Sequence, residues 1–114
     1  MKVTLIGSHA YRDKMMKYKH DLEQEGYEVK IPAFDYHPDF NELQIFEYNL
    51  SIIVWADRVD IFWDKRSFGT VLDFGMTFAL GKPIKIVYME HKTVENGMRQ
   101  YQEAHQDLAI RKGL

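Results

Sequence analysis

The spacing of apolar positions changes period repeatedly along this chain, and each change marks a new element. Val3 to Ile6 is a short, mostly apolar run that stops at Gly7-Ser8, as a buried strand does. From Tyr11 the period lengthens. Tyr11, Met15, Tyr18 and Leu22 recur at helical spacing with charges between them, and Gly26 suits the stop. Tyr27, Val29 and Ile31 then alternate with Glu28 and Lys30, which predicts a half-exposed edge strand ended by Pro32. An aromatic loop follows through Phe34, Tyr36, His37 and Phe40. Asn41 is placed to cap a second helix, whose core stripe reads as Leu43, Phe46, Leu50 and Ile53. Val59, Ile61, Phe62 and Trp63 form a third strand. The loop DKRSFG leads into a third, mostly apolar helix that Gly81-Lys82-Pro83 stops, and Ile84 to Met89 reads as a fourth strand. A last helix is expected from about Thr93, with Met98, Tyr101 and Leu108 facing inward.

Strands alternating with helices imply a parallel sheet wound on both faces. Right-handed crossovers and an edge-like second strand suggest strand order 2-1-3-4, a flavodoxin- or Rossmann-like α/β arrangement. In such sheets a ligand binds beyond the carboxyl ends of the strands, where the winding reverses between the first and third. The loops there run from Gly7 to Arg12 and from Asp64 to Thr70.

Composition narrows this picture. At 114 residues the chain is one domain's length, so 1–114 is read as a single domain. A net charge of -2, from charges of both signs, argues against a nucleic-acid surface but not against a small anionic ligand. The absence of cysteine removes disulfides and thiolate metal sites. The N-terminal apolar run VTLI is too short for a signal peptide or a membrane span, which makes a cytoplasmic protein with no membrane partner the expectation.

The chemistry concentrates in SFGTVLDFGMTFALGKPI, residues 67–84. Thr70 and Asp73 make a T-x-x-D pattern, in which Thr70 would cap the third helix and Asp73 would return a bond to the cap. The helix dipole favours a carboxylate at that end. An ionised carboxylate on the ligand edge is also what a nucleophile for glycosyl transfer needs, so cap and nucleophile both remain open. Ser67, Gly69 and Thr70 offer hydroxyls and backbone amides that suit an anion, with Arg12, Lys65 and Arg66 as nearby charge. Asn49 shares helical spacing with Ile45, Ile52 and Ile53, and an amide there needs a partner, either a nearby backbone or a ligand. Asp57, Asp60 and Asp64 invite a metal reading, but no histidine stands at ligand spacing and no metal is expected. Trp63 and the aromatic loop are candidates for stacking on a base. The five histidines are scattered, and most are expected on the surface.

Three segments resemble the nucleoside 2-deoxyribosyltransferase family, including its 2′-deoxynucleoside 5′-phosphate N-hydrolase branch: TLIGS at 4–8, NLSIIVWADRVDIFW at 49–63 and SFGTVLDFGMTFALGKPI at 67–84. The third is the most specific. The family pattern there is a Ser, a short Gly-containing turn and a Glu opening a helix that ends near Gly-Lys. The family nucleophile falls on Asp73, one methylene shorter than Glu. The Ser that holds a 5′-phosphate falls on Ser67. The Asp that assists the departing base falls on Asn49, which can hydrogen-bond a base but cannot protonate it. A first-strand Tyr of the hydrolase branch falls on Thr4, with Tyr11 or Tyr36 as substitutes.

The resemblance implies N-glycosidic cleavage or transfer on 2′-deoxynucleosides or their 5′-monophosphates, without a cofactor. Asp73 and Asn49 would be catalytic. Gly7, Ser8, Ser67, Gly69 and Thr70 would hold substrate, with Gly7 and Ser8 letting the ligand approach the first strand; Asp64, from its own place at the end of the third strand, is a candidate to hydrogen-bond a sugar hydroxyl. It further implies a homo-oligomer in which a neighbouring subunit completes each site, and Asn96 is the matching residue. The alternatives are a non-catalytic nucleotide-binding protein on the same fold and a flavodoxin-like mononucleotide binder.

Overall fold

The computed structural model describes residues 1–33, 39–63, 67–89 and 97–104. Four strands, β1 (Lys2–Gly7), β2 (Glu28–Lys30), β3 (Arg58–Trp63) and β4 (Ile84–Met89), form one parallel sheet in the order β2-β1-β3-β4. Helices α1 (Arg12–Gln24), α2 (Glu42–Trp55) and α3 (Phe68–Ala79) connect them, and a further helix, α4, spans 97–104. This is the predicted α/β architecture and strand order.

Central position explains composition. β1 lies between two strands and is buried from Val3 to Gly7, hence its unbroken apolar run. β2, at one edge, buries only Val29. α1 packs Met15 and Leu22 against Val3, Leu5, Val29 and Phe62 on one face of the sheet. On the other face Ile53 of α2 and Met98 and Tyr101 of α4 cover Ile6, Val59, Ile61, Trp63 and Ile84, with Phe74 and Met76 of α3 beside them. Gly26 and Gly81, at φ of 96° and 67°, end α1 and α3 in the left-handed conformation that a side chain disfavours. At the outer strand, the Ile86 amide donates to Gln102 Oε1 of α4 at 2.6 Å.

The cap of α2 is as expected. Asn41 Oδ1 accepts from the Gln44 amide at 2.9 Å, and Gln44 Oε1 accepts from the Asn41 amide at 2.8 Å. Its inner face is not. Ile45, Asn49, Ile52 and Ile53 are buried, whereas Leu43, Phe46 and Leu50 of the expected core stripe are exposed. Apolar residues wrap most of this helix, so periodicity marks two faces and cannot say which one meets the sheet.

Candidate active site

α3 begins one turn earlier than the T-x-x-D pattern suggests. Ser67 is the cap, with its Oγ accepting from the Thr70 amide at 3.2 Å. Thr70 is therefore inside the first turn, and Asp73 lies in the second. The dipole acts mainly within the first turn, so the expected dipole hold on Asp73 is lost along with its capping role. Asp73 is buried at 4% exposure on the inward face of α3, between Thr70 and Thr77. Thr77 Oγ1 donates to the Asp73 carbonyl at 2.7 Å, which ties that stretch of helix together.

The fully buried residues of α3 are all polar, with Phe74 and Met76 partly buried beside the core, while much of its apolar surface faces outward. Phe68, Val71, Leu72 and Phe78 are exposed, Phe68 at 90%. Thr70 is 1% exposed, and its Oγ1 has no hydrogen-bond partner among the described residues. A buried hydroxyl left without a partner costs stability.

Asp73 and Thr70 line a cleft at the carboxyl edge of β1 and β3, together with Ser67 and Gly69 of the α3 entry. Gly7 and Ser8 form the β1 side, and Asn49 the α2 side. The structure thus gathers seven of the nine candidate residues at one place. Asp64 and Asn96 lie outside the described residues, as do Lys65, Arg66, Tyr36 and the aromatic positions Phe34 and His37. The enclosed part of the cleft is about 40 Å³, space for water but not for a nucleoside. It is continuous with an open groove of about 590 Å³ between α2 and α3, since Ile45, Phe46, Gly69 and Leu72 line both.

Several of the candidate residues have structural uses, and for Asn49 the backbone alternative is the one observed. Asn49 bonds backbone on both sides of its amide: Oδ1 accepts from the Ala33 amide at 2.8 Å, and Nδ2 donates to the Ala33 carbonyl at 3.3 Å. It fastens the segment leaving β2 to α2 and so builds the cleft wall. A Cβ on Gly7 would lie 2.9 Å from Met15 Sδ and 2.9 Å from Phe62 Cβ, so packing of α1 and β3 requires glycine there whatever binds. Ser8 Oγ accepts from the Ala10 amide at 3.1 Å and caps a 3-10 turn at His9–Tyr11. Trp63 is 3% exposed in the core and cannot stack on a base. Thr4 is fully buried, with its hydroxyl donating to the Lys30 carbonyl at 3.0 Å. Tyr11 stacks edge-on against Tyr88 and does not line the cleft.

Asp60 of the metal reading is held by Arg58 and Tyr18 on the α1 face. Arg58 Nε meets Oδ1 at 2.6 Å, Arg58 Nη2 meets Oδ2 at 2.9 Å, and the Tyr18 hydroxyl donates to Oδ2 at 2.5 Å. Burial and this carboxylate together hold the Tyr18 hydroxyl well above the usual phenol range. Asp57 Oδ2 accepts from the Lys2 amide at 2.9 Å. Among the described residues no three acidic, histidine or cysteine side chains group as a metal site would. No described helix is long and apolar enough to cross a membrane.

Sequence reasoning passed over one cleft residue. His9 follows Gly7-Ser8 directly in the loop assigned to the ligand edge, and it lines the cleft. Position was the available signal, and grouping it with the scattered surface histidines concealed it.

No family model and no curated protein matches the sequence. The fold matches a solved structure, that of the CMP N-glycosidase BcmB from Clostridium botulinum. The match covers 96% of this chain and 99% of the other, with a TM-score of 0.65 and 21% sequence identity. At that distance the two chains share their fold.

Proposed function

We propose that this chain cleaves the N-glycosidic bond of a nucleoside or its 5′-monophosphate, with Asp73 as nucleophile. One observation carries the reading. The Asp73 carboxylate is buried on the wall of a cleft that also holds the α3 entry and the orphan Thr70 hydroxyl. Asp73 attacks the anomeric carbon as the base departs through an oxocarbenium-like transition state. The glycosyl-enzyme is then released by water or by a second base. Ser67, Gly69 and Thr70 hold the 5′ end of the sugar, and Asp64 binds a sugar hydroxyl. Deoxy sugars react faster, because a 2′-hydroxyl withdraws electron density from the developing cation. The fold likeness to a protein named for CMP, a ribonucleotide, makes the sugar a necessary variable of the assay.

The assay is chromatography of CMP, dCMP, their nucleosides and purine counterparts, each with and without a second free base. Released base with free sugar indicates hydrolysis, and a new nucleoside indicates transfer. The tie between Asn49 and Ala33 favours a second reading, a non-catalytic nucleotide binder, since it leaves that position without an acid. Calorimetric binding without turnover at high enzyme concentration establishes that second reading instead.

We also infer that copies of the chain associate through the outward faces of α2 and α3. Leu43, Phe46, Leu50 and Val54 on α2, with Phe68, Val71, Leu72 and Phe78 on α3, are exposed. Together they present on the order of 800 Å² of apolar side chain, one side of a standard stable interface. The only charged residue of α3 is the buried Asp73, so this face suits an identical copy better than a charged partner. Such a copy would cover the open groove beside the cleft. Light scattering at tens of micromolar is expected to show at least a dimer, and Leu50→Glu a monomer. A monomeric wild type overturns the inference.

A further inference from the structure

We infer that His9 is the general acid that protonates the departing base, in the reaction proposed above and resting on that reading. A pyrimidine or purine leaves slowly as an anion, so a proton must reach it as the bond to the sugar breaks. Asn49 cannot supply that proton, because an amide is no acid and both ends of this one already bond the Ala33 backbone. Ser8, Ser67 and Thr70 carry hydroxyls that give up protons only at far higher pH. Among the described residues lining the cleft, the remaining ionisable side chains are Asp73, already assigned as nucleophile, and His9.

The position suits the role. His9 stands on the β1 side of the cleft and Asp73 on the α3 side, so a glycosidic bond between them has nucleophile and acid on separate walls. The backbone that carries His9 is constrained from both directions. Gly7 before it is packed against Met15 and Phe62, and the Ser8 cap closes the 3-10 turn that begins at His9 itself. The side chain is exposed and also borders a depression with Arg12 and Asp13, so solvent reaches it. Histidine is the side chain whose charge changes in the neutral range.

The step balances as follows. An Asp73 oxygen forms the bond to the anomeric carbon, and the bond from that carbon to the base breaks, its electron pair leaving with the base. The His9 imidazolium passes its proton to the base, which departs neutral. In the second step water adds to the anomeric carbon, the Asp73 ester bond breaks, and the neutral imidazole takes the water's proton.

The test is the dependence of base release on leaving-group acidity, measured in single turnovers so that only the first step is read. The substrates are ring-substituted derivatives of whichever base the wild type cleaves. A protonated leaving group hides its own acidity, so the wild-type rate should change by about 3-fold or less per pH unit of base acidity. In His9→Gln the rate on the poorest leaving group should fall by about 100-fold or more, and the slope should steepen toward about 10-fold per unit. Because the side chain is exposed, the variant is expected to fold, and its thermal unfolding should match the wild type. Equal slopes in the two proteins overturn the inference even if His9→Gln is slower, because a binding or structural role lowers all substrates alike. A wild type that cleaves nothing overturns the proposed function, and this inference falls with it.

Discussion

Asp60 and Asp73 are both buried, yet they lie on opposite faces of the sheet in unlike company. On the α1 face Asp60 is fully buried and receives a two-pronged Arg58 and the Tyr18 hydroxyl. Arg58 in turn lies over the Tyr27 ring at 5.6 Å. On the other face Asp73 stands beside an orphan hydroxyl at the wall of a cleft. The contrast separates two uses of a buried carboxylate. One that neighbouring donors hold is part of the architecture, and removing a partner exposes the cost of burying the rest. One that faces a cleft is within reach of a substrate. The helices follow the same division. α1 turns apolar residues inward and charges outward, whereas α3 buries Thr70, Asp73 and Thr77, packs Phe74 and Met76 beside the core, and leaves Phe68, Val71, Leu72 and Phe78 exposed.

Exchanging the two aspartates for their amides should give opposite losses. Asp73→Asn is expected to lower single-turnover base release by about 1000-fold or more. Its unfolding free energy should move by about 1 kcal/mol or less, because the amide keeps the shape and accepts hydrogen bonds. Equal release rates in the wild type and this variant remove Asp73 from the mechanism. Asp73→Glu should preserve or raise the rate if reach limits it. Asp60→Asn should keep its rate per folded molecule and lose about 3–5 kcal/mol in urea unfolding, since Arg58 is left without its counter-charge. A loss well under 1 kcal/mol would show that the ion pair is dispensable.

Two smaller effects sharpen the contrast. Asn49→Asp restores a carboxylate on the cleft wall but sets it against the Ala33 carbonyl, at a cost of about 1–3 kcal/mol. Base release should not accelerate, and a faster variant would show that Asn49 limits the chemistry. Alkaline pH tests Tyr18. Its phenol is raised in the folded state by burial and by Asp60, so folding favours the protonated form. That contribution is complete below the ordinary phenol range, near pH 10, and is lost as pH rises above it. Unfolding free energy between pH 8 and 11 should therefore decline. Tyr18→Phe should flatten the decline only in part, because burial raises Tyr101 as well.

The sheet was legible because alternation of strand and helix, together with right-handed crossovers, leaves few topologies. Edge and centre could be told apart because Val29 alternates with charged neighbours while Val3 to Ile6 do not. Helix faces were harder. α2 and α3 are apolar on more sides than the core can use, so Leu43 and Phe46 looked internal although Ile45 and Ile52 are the residues buried. The start of α3 was misplaced by one turn because Ser67 and Thr70 are both good caps, and only geometry decides between them. Asn49 was marked as an amide in need of a partner, but the partner, Ala33, is 16 residues away in the segment that leaves β2. Such pairings follow from the assembled fold, not from spacing.

The bond from the Ile86 amide to Gln102 bears on aggregation. β4 is a six-residue run, IKIVYM, with high strand propensity and a single charge, the kind of segment that templates cross-chain pairing when its outer edge is bare. Here α4 occupies a donor on that strand with a side-chain oxygen and anchors itself nearby through the Tyr101 hydroxyl on the Lys82 carbonyl at 2.8 Å. The helix thus works as a gatekeeper, denying an incoming strand a ladder position beside Lys85, itself an exposed charge. Fraying of α4 would bare that edge and open a route to insoluble assemblies.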